Sequence, residues 1–225
     1  MRRFSPALAV GFALLAAAPA GANYKEIGII DGQRLPRASC PENCQVIAKV
    51  TGYTAELGES RNPYRVNRNG KITAWSIRLG KPSESVIDGF DNVFGAPSQA
   101  RIAILALGKK KRRAQLVAQG PVVNLEAYFG SSPTFALSKP IDIEKGQVVA
   151  LTVPTWAPAF AVGLTEDNAW RAPRDPDDCN NVERAAVHGT VGNVRRYRCL
   201  YRTARMVYTA TFVPDPTPTN PPEGN

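Results

Sequence analysis

The sequence predicts an all-β protein, a single domain built as an antiparallel sandwich or barrel. Three observations predict it. Short apolar runs, alternating or continuous, recur along the chain. Turns rich in Gly and Pro separate them. No amphipathic helical period stands out after the N-terminal leader. The chain shows no repeat of fixed period, which argues against a propeller or solenoid. At 225 residues, 44% hydrophobic and 21% charged, it has the composition of a folded domain and the length to bury a core without a metal or cofactor.

The first element is a secretory leader, Met1–Ala22. Arg2 and Arg3 form its basic start, Ala7–Ala18 its apolar run, and Ala18-Pro19-Ala20 or Ala20-Gly21-Ala22 its small-residue cleavage site. The apolar run is too short for a membrane span, and no second one follows. The expectation is free export, with no transmembrane span in the mature chain and no encounter with intracellular nucleic acid. Cys40, Cys44, Cys179 and Cys199 fit that compartment as two disulfides. Of the possible connectivities, Cys40–Cys44 and Cys179–Cys199 are favoured because short loops close at the least entropic cost. A zinc site lacks a second close cysteine pair.

Residues Asn23–Cys44 read as an N-terminal arm pinned by the small Cys40–Cys44 loop. The sandwich itself is expected over Gln45–Val213. Gln45–Thr51 alternates, with Val46, Ala48 and Val50 on one face. Asn69-Gly70 predicts a tight hairpin between Tyr64–Arg68 and Lys71–Leu79. Thr73, Trp75, Ile77 and Leu79 then share a face, with Trp75 in the core. Gly80–Gln99 reads as loop. Ala100–Leu107 is nearly continuous apolar, a strand covered on both faces. Gln115–Gln119 answers it across a basic tip, Lys109, Lys110, Lys111, Arg112 and Arg113. Pro121–Thr134 is irregular, and Phe135–Leu137 and Pro140–Ile143 are short extended pieces. Gln147–Val153 is a strong strand. Pro154 and Pro158 exclude a helix around Trp156. Ala161–Leu164 and Asn168–Ala172 are short strands, and Pro173–Asn181 is a polar loop. In Arg202–Phe212, Ala204, Met206, Tyr208, Ala210 and Phe212 face inward, with Val207 an exception on the outer face. Pro214–Asn225 is a proline-rich tail expected to be disordered.

Three segments, Gly70–Gly80 (GKITAWSIRLG), Ala100–Leu105 (ARIAIL) and Phe135–Leu151 (FALSKPIDIEKGQVVAL), together resemble a family of secreted bacterial jelly-roll, galactose-binding-like sandwich domains. Gln147 stands where aspartate is commoner in that strand entry. The resemblance spans roughly Gln45–Val213. It implies a jelly-roll-like sandwich of a family with no established activity, and it transfers no catalytic residue.

Most enzyme chemistries lack their residues. His188 is the one histidine, so a multi-histidine metal site is excluded. No G-x-S-x-G elbow, P-loop or G-x-G-x-x-G is present, and His188 reads as a surface or loop residue. Asp175, Asp177 and Asp178 offer oxygen ligands for a weak calcium site, against the plainer reading of a solvated acidic turn. Tyr128, Phe129, Trp156 and Phe160 are the candidates for a glycan-stacking cleft. Two basic clusters remain, Lys109–Arg113 and the set Arg195, Arg196, Arg198, Arg202 and Arg205, in a chain of formal net charge +9. Arginine forks suit anionic polymers, while charged tips also serve as solvated guards against edge pairing. The leading expectation is an exported, non-enzymatic module binding a glycan or anionic wall polymer. The alternatives are a polysaccharide hydrolase with paired carboxylates and a structural or assembly protein of the cell surface.

Overall fold

A computed structural model describes residues 23–29, 34–109, 112–181 and 185–217. The expected leader, Lys110 and Lys111 of the basic tip, and the tail beyond residue 217 lie outside the described residues. The strands are β1 (Lys25–Ile27), β2 (Ile47–Leu57), β3 (Ser60–Arg61), β4 (Gly70–Ile77), β5 (Gln99–Leu107), β6 (Arg113–Gln119), β7 (Val123–Asn124) and β8 (Thr134–Ile143). They continue as β9 (Val148–Ala157), β10 (Phe160–Val162), β11 (Asn168–Ala172), β12 (Val194–Arg196), β13 (Cys199–Arg202), β14 (Ala204–Met206) and β15 (Tyr208–Pro214). One helix, α1 (Glu84–Phe94), lies between β4 and β5.

The expected all-β antiparallel sandwich is present. One layer runs β1-β15-β4-β8, and the other contains β2-β9-β5-β6. The chain crosses between the layers from β2 to β4, β4 to β5, β6 to β8 and β8 to β9, while β5 and β6 stay together as a hairpin and β15 ends between β1 and β4. Ile72, Trp75 and Ile77 of β4, Ile102 and Ile104 of β5, and Val149 and Leu151 of β9 are fully buried in its core. Leu137 and Ile141 of β8 lie near Ile102 across the layers.

The second layer goes further than a flat sheet. Its full order is β12-β6-β5-β9-β2-β11-β13. β12 and β13 stand at opposite ends of that order, yet only Tyr197 and Arg198 separate them in the chain. The layer therefore curls into a half-barrel whose two ends approach. Because strand residues alternate faces, the face opposite Ile102 and Ile104 lines this curl. Ala103 and Leu105 of β5, Val148 and Ala150 of β9 and Leu116 of β6 fill it and are buried.

Several expectations are corrected. Asn69-Gly70 is not a hairpin turn: β4 pairs with β15 and β8. Asn69 Oδ1 instead accepts from Lys145 N at 2.9 Å. Gly70 is required because an added Cβ would stand 2.3 Å from the Val213 carbonyl oxygen. Gly80–Gln99 holds helix α1, whose Val86, Ile87, Phe90 and Phe94 follow the 3.6-residue period. Pro82, Gly89, Gly95 and Pro97 masked it in the sequence, although Gly95, at φ 94°, stands just past its end. A bulge at Lys49, φ 46°, breaks the alternation expected of Val46, Ala48 and Val50.

The arm and the terminal strand are also more integrated than expected. β1 pairs with β15, so residues 25–27 form a sheet edge. β15 runs through Pro214, and Arg68 Nη2 donates to the Asp215 carbonyl at 2.8 Å and to Thr217 Oγ1 at 3.0 Å. Val207 is fully buried, its N–H donating to the Ala159 carbonyl at 3.0 Å. Both expected disulfides, Cys40–Cys44 and Cys179–Cys199, are formed. Among the described residues, no helix is long and apolar enough to cross a membrane.

Candidate anion-binding surface

Strand register brings the two basic segments together. β12 pairs with β6 so that Arg196 stands opposite Arg113 and Arg195 opposite Ala114. Two like charges directly opposite on a strand pair repel. Tyr197, the next residue, links the cluster to β11. Its N–H donates to the Arg112 carbonyl at 2.8 Å, and its carbonyl accepts from Arg171 Nη1 at 3.4 Å. Arg171 in turn stands beside Tyr53 across β11 and β2. Burial lowers the Arg171 pKa, with the nearby positive charges of Arg112 and Arg202 acting in the same direction.

Glu56 supplies a carboxylate at this end of the curled sheet. Glu56 Oε2 is 2.6 Å from Arg61 Nη1 and 2.9 Å from Arg202 Nη1. Burial alone would raise its pKa, but hydrogen bonds from Arg202 and Arg61 and their charges hold it below the usual carboxylate range. Arg112, Arg113, Arg196 and Arg171 are left with no ion pair among the described residues. These arginines border the end of the curl where β12, Tyr197 and β11 meet, a rim in which Arg113 and Arg196 stand on the outer face because they alternate with the buried Ala114.

The other members of the predicted clusters are placed elsewhere. Arg195 Nη1 donates to the Ala186 carbonyl at 3.1 Å. Arg198 faces Asp175 at 3.8 Å, on the loop side of β13. Arg205 is not part of the surface: it is 5% exposed, and its Nη2 donates to the Gly28 carbonyl at 3.2 Å. All three residues of β14 are buried, so the face that the alternation offers to Arg205 is itself covered. The tyrosines among these arginines are structural. Tyr197 and Tyr208 are fully buried, and Tyr201 stacks on Trp170 with centroids 4.4 Å apart.

The four aromatics do not form one open cleft. Trp156 is fully buried, with Phe90 of α1 at 5.2 Å and Phe129 at 5.6 Å between ring centroids. Its Nε1–H donates to Asp91 Oδ1 at 2.7 Å, so α1 closes over it. Tyr128 is 40% exposed and packs edge-on to Phe135, while Phe160 packs on Trp170 in a separate cluster. The acidic turn also has other duties. Asp175 is held by Arg198, and Pro176–Asp178 form a short 3-10 turn. Among the described residues, no three His, Cys, Asp or Glu side chains are grouped to hold a metal ion.

His188 is buried rather than at the surface, because the chain around it lies across the inner face of the curl. Its N–H donates to Thr51 Oγ1 at 3.0 Å, and Thr51 Oγ1 lies 2.9 Å from Thr152 Oγ1. Nδ1 is 3.2 Å from the Tyr197 hydroxyl, and Nε2 is 2.9 Å from the Asn193 carbonyl. A separate cavity of about 560 Å³ is lined by Glu59, Asp167, Asn168, Arg34 and Arg205 among others.

Sequence reasoning missed Arg171, Tyr53 and Arg65 at the rim. Nothing local marks them: Arg171 meets Tyr53 through the β2–β11 register, Arg65 meets β9 through a bridge to Val148, and the Tyr197 main chain links Arg112 to Arg171. No protein-family model, no curated protein and no solved structure matches the chain.

Proposed function

We propose that the protein is an exported, non-enzymatic module that holds an anionic polymer or acidic glycan of a cell surface at the arginine rim of its curled sheet. The observation that carries this reading is the convergence of two basic segments that lie far apart in the chain. Arg113 faces Arg196, and Tyr197 ties Arg112 to Arg171. The rim's carboxylate, Glu56, is already shared by Arg61 and Arg202. Unpaired guanidinium groups held on strands are pre-set to fork onto phosphate, sulfate or carboxylate. Their mutual repulsion weakens the fold, and an anionic ligand relieves it. The leader-like Met1–Ala22 and the paired cysteines support export. The two-layer antiparallel sandwich supports the resemblance of Gly70–Gly80, Ala100–Leu105 and Phe135–Leu151 to exported sandwich domains.

Retention on immobilised anionic glycan and on wall polymer tests the reading. The expected result is elution by salt, and elution at clearly lower salt for the Arg113→Ser, Arg196→Ser double variant. Arg198→Ser, which alters a residue paired with Asp175, should elute with the wild type. Unchanged retention in the double variant would overturn the proposal.

One observation favours a second reading. Glu59 and Asp167 line a common cavity, which a polysaccharide hydrolase working through two carboxylates would require. Release of reducing ends from a polysaccharide by the wild type, and not by Asp167→Asn, would establish it.

A further inference from the structure

The rim surrounds a narrower feature at the mouth of the curl. Tyr53 and Arg171 are cross-strand partners on β2 and β11, and directly opposed residues put their side chains on one face. The Tyr53 ring packs on Tyr197 at 5.5 Å between centroids. The Tyr197 main chain fixes both neighbouring arginines, through its N–H to Arg112 and its carbonyl to Arg171. Arg65 bridges to Val148, which is itself opposite Leu105 on the inner face. Arg171, Arg65 and Arg112 therefore all lie within electrostatic reach of one phenol.

That phenol is a donor. Tyr53 is 5% exposed, and burial raises its pKa despite the three arginines, so the hydroxyl keeps its proton near neutral pH. Arginine likewise donates and does not accept. The carboxylate facing Arg171, Glu56, is engaged by Arg61 and Arg202. Tyr197, the other ionisable group here, is held neutral by its own burial. The mouth thus presents donors from separate strands and the hairpin tip, with no free acceptor facing them among the groups named. A planar carboxylate offers two oxygens in one plane. An ester phosphate or sulfate offers three terminal oxygens pointing apart, the better match to donors that arrive from different directions.

We propose that Tyr53, Arg65, Arg112 and Arg171 form a specific site for a tetrahedral oxyanion ester, a phosphate or sulfate group carried by the bound polymer. Arg171 supplies the half-buried fork, Arg112 and Arg65 close on the group from the tip and from β9's neighbour, and the Tyr53 hydroxyl donates to it. This inference rests on the surface reading above but is narrower, and the two can fail separately.

The test is titration of the full chain with phenyl phosphate, phenyl sulfate, inorganic phosphate and acetate at constant ionic strength, followed by calorimetry. At least one ester should bind saturably, and acetate should not. The phosphate and sulfate arms identify which group the site prefers. Arg171→Gln should weaken that binding ~tenfold or more, and Tyr53→Phe about three- to tenfold, the ranges for losing a charged and a neutral donor. Tyr53→Phe keeps the ring, so its melting temperature without ligand serves as the folding control. Arg112→Ser, at an exposed tip, gives a second variant with no packing to lose. Absence of saturable ester binding, equal binding of acetate, or unchanged affinity in all three variants would overturn the site. If the esters fail to bind while salt-sensitive polymer retention persists, this site is wrong and the broader surface reading stands. If the esters bind but no polymer is retained, the site stands and the polymer reading falls.

Discussion

His188 shows how one buried residue ties the curled sheet to pH. Burial lowers its pKa, the nearby Arg195 charge acts the same way, and the Asn193 carbonyl opposes them. A single neutral tautomer fits both contacts: Nε2–H donates to the Asn193 carbonyl, and Nδ1 accepts from the Tyr197 hydroxyl. The unfolded chain protonates this imidazole near its ordinary value of 6.5, and the folded chain does so at lower pH. Between those values the unfolded state binds more protons, so stability present above pH 6.5 is lost as pH falls. Urea unfolding midpoints should therefore decline from about pH 7 to about pH 5 in the wild type and stay nearly flat in His188→Asn. A flat wild-type profile would mean that the imidazole is not held neutral. Glu56 titrates in a lower window. Its pKa is depressed from 4.5, so the stability it contributes is lost only below that pH.

Among the elements, α1 decides which aromatics are core. It buries none of its own residues fully, yet Phe90 and Asp91 close Trp156 from solvent. Phe90→Ala should cost about 1–3 kcal/mol, less than a fully buried phenylalanine, and should shift tryptophan emission to the red. Trp75 and Trp170 are buried elsewhere, so an unshifted spectrum would mean that the helix does not shield Trp156. The Cys179–Cys199 disulfide closes a span of 20 residues behind β13. Replacing both with serine should cost about 3 kcal/mol by loop entropy, against about 2 for the shorter Cys40–Cys44 loop. Chemical denaturation of the two variants gives that difference directly.

At the scale of the whole molecule, charge and shape converge at the end of the curl where β12, Tyr197 and β11 meet. The chain carries a formal net charge of +9, and Arg113 and Arg196 are held opposite each other. Screening should relieve that repulsion. Raising salt from about 0.01 M to about 0.15 M should stabilise the ligand-free protein by about 1 kcal/mol, or ~2–4 °C in melting temperature. The Arg113→Ser, Arg196→Ser variant should lose most of that gain. A melting temperature that falls with salt in the wild type would show that favourable ion pairs dominate this surface instead.

Composition and periodicity were enough for the fold class, for the arms of the β5–β6 hairpin, for Trp75 as core and for both disulfides. Each follows from local apolar alternation, or from the low entropy of short loops, and neither needs knowledge of what lies across the sheet. The helix was legible too, in the spacing of Ile87, Phe90 and Phe94, but glycine and proline around it spoke louder. What tertiary structure decided is which charges and aromatics share a face. Arg113 meets Arg196 and Arg171 meets Tyr53 through register, which a single chain read in order does not display. Arg205 alternates with the inward-facing Ala204 and Met206 and so read as outward, and His188 read as a surface or loop residue, but both are buried because other strands and the curl close over them. The basic tip was visible in the sequence, but the rim it belongs to exists because a sheet curls until its two ends approach across Tyr197.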